Sequence, residues 1–185
     1  LRLSRGLGDV YKRQTPIIAA VEGSAFGGGF EIALACHLIV ASSTATFGLP
    51  EVRRGLVATS AGLFRVPRVL PLNVAREMLL TGDPVSAQRL ADLGVVNRVV
   101  EPGTTVAEAV ALAERIELNA PTSIRATLTA LDVAYETKWA ACPVAASLGA
   151  MNFISSPNTL LQGKVFMMTT LATGNLQKCA KMLFY

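Results

Sequence analysis

The chain has 185 residues, 51% of them hydrophobic, a length and composition typical of one globular domain. Its formal net charge is +4, but residues 15–135 hold nine Arg, no Lys and eleven acidic residues, which gives that region a charge of −2. No basic patch interleaved with aromatic residues is present, which argues against nucleic-acid binding. No run of about 18 apolar residues is present either, so we expect no membrane span.

The three cysteines are Cys36, Cys142 and Cys179. They are sparse, odd in number and without CxxC spacing, which argues against a disulfide framework and against a zinc site. The first residues lack the basic end, apolar core and small-residue cleavage site of a signal peptide. We therefore expect a protein of the reducing cytoplasm.

Three segments of the chain differ in character. Residues 1–14 show no sustained strand or helix period and resemble translated adapter sequence, so we interpret them as a scar of cloning or assembly. Residues 136–185 use four Lys and no Arg, the reverse of the preceding region. We interpret this tail as the product of a frameshift; the alternative is a genuine but poorly patterned C-terminal region.

The first patterned elements follow directly after the head. Ile17–Val21 is a continuous apolar, β-type run, which predicts a buried strand. Phe30–Cys36 reads as a short helix that has Gly27–Gly29 at its start. Leu38–Ala41 predicts a second buried strand, and Ala45–Gly48 a short extended piece.

Helices dominate the rest of the patterned region, where caps and breakers mark most of the boundaries. The predicted helices are a turn or helix from Pro50-Glu51, 61–65 ending near Pro67, 72–80, 87–93 with Ser86 as N-cap and Gly94 after its end, a helix to about 119 with Thr104 or Thr105 as its N-cap, and 121 to about 135. One further strand is predicted over Val95–Val100. Strands that alternate with helices indicate an α/β fold class.

A glycine-rich turn, Gly27–Gly29, opens the first helix and is accompanied by two glutamates, Glu31 and Glu51. The first backbone N–H groups of a helix have no partner within it, and with the helix dipole they can stabilise an oxyanion. Two nearby carboxylates can supply a general acid and a general base. This combination suits the addition of water to an activated carbonyl compound. Tight packing between strand and helix is the alternative explanation of the glycines.

The ordered set of motifs in residues 15–134 resembles the enoyl-CoA hydratase/isomerase (crotonase) family. The motifs that carry the resemblance are Ile17–Val21, GSAFGGGFEIALAC from Gly23, FGLPE from Phe47, LTGD from Leu80 and GVVNRVV from Gly94. The resemblance implies a crotonase-like spiral of ββα units followed by helices. Residues 15–103 would form the C-terminal half of that core and residues 104–135 the start of the helical part.

The same resemblance implies acyl-CoA thioester substrates, no metal and no redox cofactor, and a parent enzyme that is a homotrimer or a dimer of trimers. Gly28 matches the glycine whose N–H contributes to the oxyanion hole. Glu31 and Glu51 match the two catalytic glutamates that hold the water, and Glu51 is most like the one that protonates C2. Substrate contacts are implied at the positions Ala25, Phe26, Gly27, Pro50 and Thr59.

Some residues depart from the family pattern. His37, the only histidine, stands where the family usually has Asp, and we interpret it as a sporadic substitution or sequence error rather than a catalytic group. Ala58, Thr59 and Ser60 stand where many hydratases have Pro-Gly-Ala, which leaves substrate choice open. We interpret Arg53 and Arg54 as a solvent-exposed pair rather than as ligands of CoA phosphates. 

The function that the resemblance implies is hydration of a 2-enoyl-CoA, or the reverse reaction, through an enolate-like state. A Δ3-Δ2-enoyl-CoA isomerase and a carnitinyl-CoA-type dehydratase remain alternatives within the fold. A truncated paralogue that binds full-length subunits without catalysis is the alternative from another class. The resemblance places the family's second oxyanion donor on a segment before residue 1, so we expect this chain alone to be a poor catalyst. A half-spiral would also leave strand edges and apolar faces uncovered, so we expect the chain to aggregate.

Overall fold

The computed structural model describes residues 15–136, 165–169 and 181–184. The interpretation of residues 1–14 as a scar therefore lies outside the described residues. Of the tail, only two strands are described, so its interpretation as a frameshift product also lies largely outside them.

A five-stranded sheet forms the centre of the molecule. Its strands are, in spatial order, β6 (Arg98–Val100), β3 (Leu38–Ser42), β1 (Ile17–Val21), β7 (Val165–Thr169) and β8 (Lys181–Phe184). The strands β1, β3 and β6 are parallel, whereas β7 is antiparallel to β1 and to β8. The central position of β1 agrees with its apolar sequence, since all five of its residues are fully buried.

A second, three-stranded sheet is formed by β2 (Ser24–Phe26), β4 (Thr46–Gly48) and β5 (Val85–Ser86). The strands β2 and β4 are parallel, and the hydroxyls of Ser24 and Thr46 lie 3.0 Å apart across the pair. This sheet matters for the site because β2 leads into the glycine-rich turn and β4 leads towards Glu51.

Six α-helices and one 3-10 helix are described. They are α1 (Gly28–Ala35), the 3-10 helix (Pro50–Arg54), α2 (Gly62–Val69), α3 (Leu72–Thr81), α4 (Ala87–Asp92), α5 (Thr105–Glu117) and α6 (Pro121–Glu136). The predicted α/β class is thus confirmed, with most boundaries within two residues of the prediction. In the part of the chain that the structure describes, no helix has both the length and the apolar character needed to cross a bilayer.

Alternate residues of β1 pack into two separate hydrophobic clusters. Ala19 and Val21 belong to the larger one, which also holds the rings of Phe30 and Phe47 with centroids 5.3 Å apart. Ile18 and Ala20 face the other way and pack under α5. The period-2 alternation of strand side chains therefore fixes β1 between the site-bearing layer and the later helices.

The predicted end of α2 near Pro67 is wrong, because the helix continues to Val69 with Pro67 inside it. A proline at this position removes only one backbone hydrogen bond. The next bond is intact, since the N–H of Leu70 donates to the carbonyl of Val66 over 2.9 Å, and the fully buried Val66 holds this turn in the core.

The predicted strand Val95–Val100 is too long, since β6 comprises only Arg98–Val100. The N–H groups of Val95 and Val96 donate to the carbonyl of Leu90 instead of to a neighbouring strand. Asn97 then contacts Ile39 twice, because its N–H donates to the Ile39 carbonyl and its Oδ1 accepts the Ile39 N–H at 2.7 Å. A side chain thus takes the place of a backbone acceptor, which the apolar pattern does not reveal.

The N-terminus of α5 is not capped by a threonine side chain as predicted. The hydroxyl of Thr104 donates to the carbonyl of Glu101, and that of Thr105 donates to the carboxylate of Glu22. Glu22, directly after β1, also accepts the N–H of Gly103. These contacts hold the pKa of Glu22 below its ordinary value, the Thr105 hydroxyl having the largest effect. A carboxylate from a distant strand therefore ties α5 to the sheet.

His37 connects the start of β1 to the turn before β3. Its side-chain Nδ1 accepts the backbone N–H of Ile17 at 2.8 Å, and the backbone N–H of His37 donates to the Ile17 carbonyl at 2.9 Å. Burial lowers the pKa of His37, and the charge of Asp132 on α6 opposes that effect. The neutral imidazole thus has a structural role at a position where the family usually has an aspartate.

We expect His37 to make stability depend on pH. Because its pKa is lower in the folded than in the unfolded chain, its contribution is complete above its ordinary value of 6.5 and declines as the pH falls towards the folded pKa. A His37→Asn variant keeps an oxygen acceptor for Ile17 but does not titrate. Urea unfolding midpoints at about pH 7.5 and about pH 5 should differ less in the variant than in the unchanged chain. Equal differences in both proteins would contradict this role.

Candidate active site

The glycine-rich turn joins β2 to α1 and uses each glycine differently. Gly27 has φ +55°, a conformation that favours glycine, and its N–H donates to the Gly48 carbonyl at 2.9 Å. A side chain added at Gly28 would meet no atom within 4 Å, so tight packing does not explain this glycine. Gly28 is exposed and is the first residue of α1, whose first N–H groups have no acceptor within the helix.

Glu31 lies in the first turn of α1 and is almost completely buried, with 5% of its surface exposed. Its Oε1 accepts the backbone N–H of Gly62, the first residue of α2, at 2.8 Å. Burial raises the pKa of Glu31, and the nearby charge of Glu51 raises it further. The Gly62 and Ser60 N–H groups and the charge of Arg65 act in the opposite direction.

Glu51 is the second residue of the 3-10 helix, where Pro50 provides the fixed φ of a helix start. Its Oε1 lies against Gly27, only 3.0 Å from the point that a Cβ of residue 27 would occupy. Its Oε2 is buried and has no hydrogen-bond partner among the residues that the structure describes. Burial raises the pKa of Glu51, opposed by its own backbone N–H and by the charge of Arg54.

The structure therefore brings Gly28, Glu31 and Glu51 together at the N-terminus of α1, although Glu51 comes from a different element. Both carboxyls are shielded from water, and their charges repel, which favours a state in which one of them is protonated near neutral pH. Such a pair can give one proton and take another, and the free Oε2 of Glu51 can accept a hydrogen bond from a bound molecule.

The predicted substrate-contact positions surround this pair in different ways. Ala25 is fully buried in the larger hydrophobic cluster, which leaves only its backbone for a ligand. Phe26 is half-buried with its ring against Gly48, and Gly27 is buried beside Glu51. Pro50 and Thr59 are half-buried, Thr59 in the loop that precedes α2.

The start of α2 contains two residues that the sequence analysis did not single out, Ala61 and Gly62. A Cβ at Gly62 would lie 2.9 Å from Oε1 of Glu31 and 3.0 Å from the Cβ of Ala58, so this position has no room for a side chain. Ala61 has φ +85° and is the one non-glycine residue in this left-handed region among residues 15–136. The dipeptide Ala61-Gly62 at a helix start was the available signal, since small residues mark such close approaches.

Arg53 anchors the 3-10 helix that carries Glu51. Its Nε donates to the carbonyl of Thr81 at 2.9 Å, and its guanidinium forms an ion pair with Asp83. The side chain of Arg53 is exposed as predicted, but it is bound to the end of α3 rather than only to solvent. The position of Glu51 relative to α3 is thereby fixed from the surface.

An open cavity of about 430 Å³ lies beside Glu51. Its walls are mostly aliphatic and come from the 3-10 helix, the following loop, α2 and α3: Leu49, Glu51, Val52, Leu56, Val57, Ala58, Leu63, Arg76, Leu79 and Leu80. Its size is within the range of small-molecule sites. A flexible apolar group would therefore find space next to one of the two carboxyls.

The thiol and potential metal ligands contribute nothing to this site. Burial raises the pKa of Cys36 to about 12, so its thiol stays protonated and unreactive. Within 15–136 and the two tail strands, no three His, Cys, Asp or Glu side chains are grouped so that they would hold a metal ion.

Fold and site together define an α/β protein that presents one buried and one half-buried carboxyl at the glycine-rich start of a helix. The enoyl-CoA hydratase/isomerase family model matches residues 2–159 of the chain. The chain therefore belongs to the enoyl-CoA hydratase/isomerase family, and its fold is the crotonase fold, as the sequence motifs implied.

Individual relatives agree with this assignment. Mevalonyl-coenzyme A hydratase sidH of Aspergillus fumigatus is 48% identical over 121 residues, which are 65% of this chain and 45% of that protein. Carnitinyl-CoA dehydratase of Salmonella typhimurium is 44% identical over 65% of this chain and 46% of its own length. The structure of a carnitinyl-CoA dehydratase from Mycobacterium avium gives a TM-score of 0.65 at 46% identity, covering 69% of this chain and 52% of that one. The chain thus spans about half the length of the relatives it matches.

We expect Gly62→Ala to destabilise the protein by about 1–3 kcal/mol, because the added methyl would displace Glu31 or Ala58. Gly28→Ala is the matched control, since the methyl meets open space and the change should stay within about 1 kcal/mol of the unchanged chain. Urea unfolding of the three proteins measures both effects. A loss of similar size in the two variants would show that Gly62 has no special steric role.

Ala61→Gly should raise the free energy of unfolding by about 0.5–1 kcal/mol, because glycine adopts a positive φ without the strain that alanine carries. Ala75→Gly, in the middle of α3, should lower it by about 1 kcal/mol. Thermal or urea unfolding distinguishes the two signs. Destabilisation by Ala61→Gly would mean that the left-handed conformation of this residue costs nothing in the folded chain.

Proposed function

We propose that this chain carries the acid–base half of an active site that adds water to a 2-enoyl-CoA thioester, or removes it from the product. The observation that carries the proposal is the pair formed by the buried Glu31 and the half-buried Glu51, whose buried Oε2 has no partner among the described residues. A buried polar atom without a hydrogen bond costs about 1–3 kcal/mol, so its retention points to a ligand group or water that occupies the place during function.

The two glutamates would act in opposite protonation states. In the hydration direction, the Glu31 carboxylate takes a proton from the water whose oxygen bonds to C3 of the thioester. The protonated Glu51 gives its proton to C2, so the C2=C3 double bond becomes a single bond. Glu31 ends protonated and Glu51 ionised, and proton exchange between these neighbours or with solvent resets the pair.

The N–H of Gly28 would stabilise the negative charge that develops on the thioester oxygen when water attacks C3. It lies at the helix start, where the dipole of α1 favours an anion, and the space around Gly28 is open. A single donor of this kind contributes about 3–4 kcal/mol to transition-state stabilisation. The family resemblance implies a second oxyanion donor on a segment that is not among the residues of this chain. We therefore propose that this chain alone turns over substrate slowly.

The aliphatic cavity beside Glu51 would hold part of the acyl chain. Its lining by leucine and valine side chains suits a hydrocarbon tail, and Glu51 at its edge would then lie next to C2. The CoA portion is part of the substrate, and no separate cofactor or metal is proposed.

Hydration or dehydration is favoured over isomerisation because both glutamates are present and lie close to each other at the start of α1. The matched relatives are named as a mevalonyl-CoA hydratase and as carnitinyl-CoA dehydratases, which agrees with that choice of reaction. Carnitinyl-CoA-type dehydration and Δ3-Δ2 isomerisation remain the alternatives that a substrate panel would separate. We further propose that the complete enzyme is a trimer or a dimer of trimers in the cytoplasm.

A role as a non-catalytic subunit partner is the second candidate. Exposed leucine and valine side chains on the 3-10 helix, the next loop and α3 favour it: Val52, Leu56, Val57, Leu72 and Leu80. Apolar groups clustered at a surface often mark a protein contact. This role and catalysis are compatible, since a subunit can have both.

The function is tested in a hybrid enzyme that combines residues 15–135 with the part of a matched hydratase that this chain does not cover. We expect crotonyl-CoA to be hydrated, seen as loss of the enoyl-thioester absorbance, and the unmodified 185-residue chain to be much slower. Glu51→Gln should lower kcat of the hybrid by about 10²–10⁴-fold, because the general acid is lost.

Glu77→Gln is the matched control, because Glu77 is an exposed glutamate on the neighbouring helix α3 and its change should leave kcat unaltered. Unchanged hydration in the Glu51 variant would refute the proposed acid. Migration of a double bond in a 3-enoyl-CoA, without hydration of crotonyl-CoA, would assign the site to an isomerase instead.

A further inference from the structure

We infer that Arg65 is a positioning residue of this site: from the first turn of α2, it keeps the buried Glu31 in its carboxylate form. The inference rests on the function proposed above, in which Glu31 accepts a proton from water. Arg65 belongs neither to the glycine-rich turn nor to the pair of glutamates, and it would prepare Glu31 for its role as the base.

The geometry starts from the contact between α1 and α2. The first N–H of α2, that of Gly62, donates to Oε1 of Glu31, so the positive end of the α2 dipole is directed at this carboxylate. Arg65 is three residues further along the same helix, and positions i and i+3 of a helix share one face. Arg65 is buried, with 8% of its surface exposed, and the helix that carries it packs against α1.

Buried cations act strongly on buried carboxylates, because little water screens them. Arg65 lowers the pKa of Glu31, in the first turn of α1, and also that of the Cys36 thiol, which follows the end of α1. Arginine suits such a place because it stays protonated and its guanidinium is weakly hydrated.

Other groups that face Glu31 act on its pKa in both directions, and the Gly62 N–H lowers that pKa more than Arg65 does. Glu51 on the 3-10 helix raises the pKa of Glu31 by repulsion, and burial raises it most. The backbone N–H groups of Gly62 and Ser60 lower it. Arg54, the cation near Glu51, is exposed to solvent, so its charge is screened far more than that of Arg65.

This asymmetry would assign the roles of the pair. Glu31 has a buried cation and the N-terminus of a helix, which both favour the charged form. The charged form of Glu51 is favoured only by its own backbone N–H and a screened cation, and its Oε2 has no hydrogen-bond partner among the described residues, so the shared proton would reside on Glu51. A general base and a general acid result from two identical side chains.

The test is a ¹³C NMR titration of the glutamate side-chain carboxyls in the 185-residue chain, without substrate. Arg65→Met should raise the pKa of Glu31 by at least about one pH unit, since an opposite charge nearby typically lowers a carboxyl pKa by about 1–3 units. Arg65→Lys should restore most of the original value. Arg89→Met, which removes an exposed arginine on α4, is the matched control and should leave Glu31 unchanged. An unaltered Glu31 pKa in folded Arg65→Met overturns the inference.

A double-mutant cycle covers the case in which Arg65→Met folds poorly. If Arg65 acts through the charge of Glu31, its replacement should shift the unfolding midpoint much less in a Glu31→Gln background than in the unchanged chain. Equal loss of stability in both backgrounds, including failure of both to fold, assigns Arg65 a packing role and overturns the inference. Neither measurement involves turnover. If the hybrid enzyme failed to hydrate crotonyl-CoA, the proposed function would be refuted, but the effect of Arg65 on Glu31 would still be measured separately.

Discussion

One hydrogen bond, from the N–H of Gly62 to the carboxylate of Glu31, joins the two parts of the chain that build the site. It connects the first turn of α1 to the first residue of α2 across 31 positions of sequence, inside a region closed to water. A charged acceptor in such a place needs a donor of fixed position, and the start of a helix provides one. The 3-10 helix and its loop lie between these two anchors, so the position of Glu51 follows from them.

Each glutamate packs against a glycine from the chain segment that carries, or follows, the other glutamate. Glu51 packs against Gly27, the residue before α1, while Glu31 packs against Gly62, which follows the 3-10 helix and loop. A side chain at either glycine would occupy the place of a carboxylate oxygen. The two segments are therefore complementary in shape as well as in charge, and a change at one glycine would be felt by the distant glutamate rather than by its own neighbours in sequence.

The sequence predicts the parts of this arrangement that depend on local patterns. The apolar run of β1, the glycine-rich start of α1 and the cap at Ser86 are all determined by residues close together, and the structure agrees with them. Two of the errors arise where a side chain from elsewhere replaces a backbone partner, as Asn97 does for β3 and Glu22 does for α5. The backbone partner of Glu31 was missed because every residue except proline has an N–H, so that only the small residues Ala61 and Gly62 pointed to a close approach there.

The electrostatics of the pair show why such a site is costly and still stable. Burial works against the charge of both glutamates. At Glu31 two backbone donors and a buried cation offset this effect, whereas at Glu51 only its own backbone N–H and the exposed Arg54 do so. Among the described residues Oε2 of Glu51 has no partner, which leaves it able to bind water or substrate. The well-packed layer around Phe30 and Phe47 provides the compensation, because it holds both carboxyl-bearing segments where neither would remain alone. The asymmetry between two chemically identical groups is thus a property of the surrounding backbone and core rather than of the glutamates themselves.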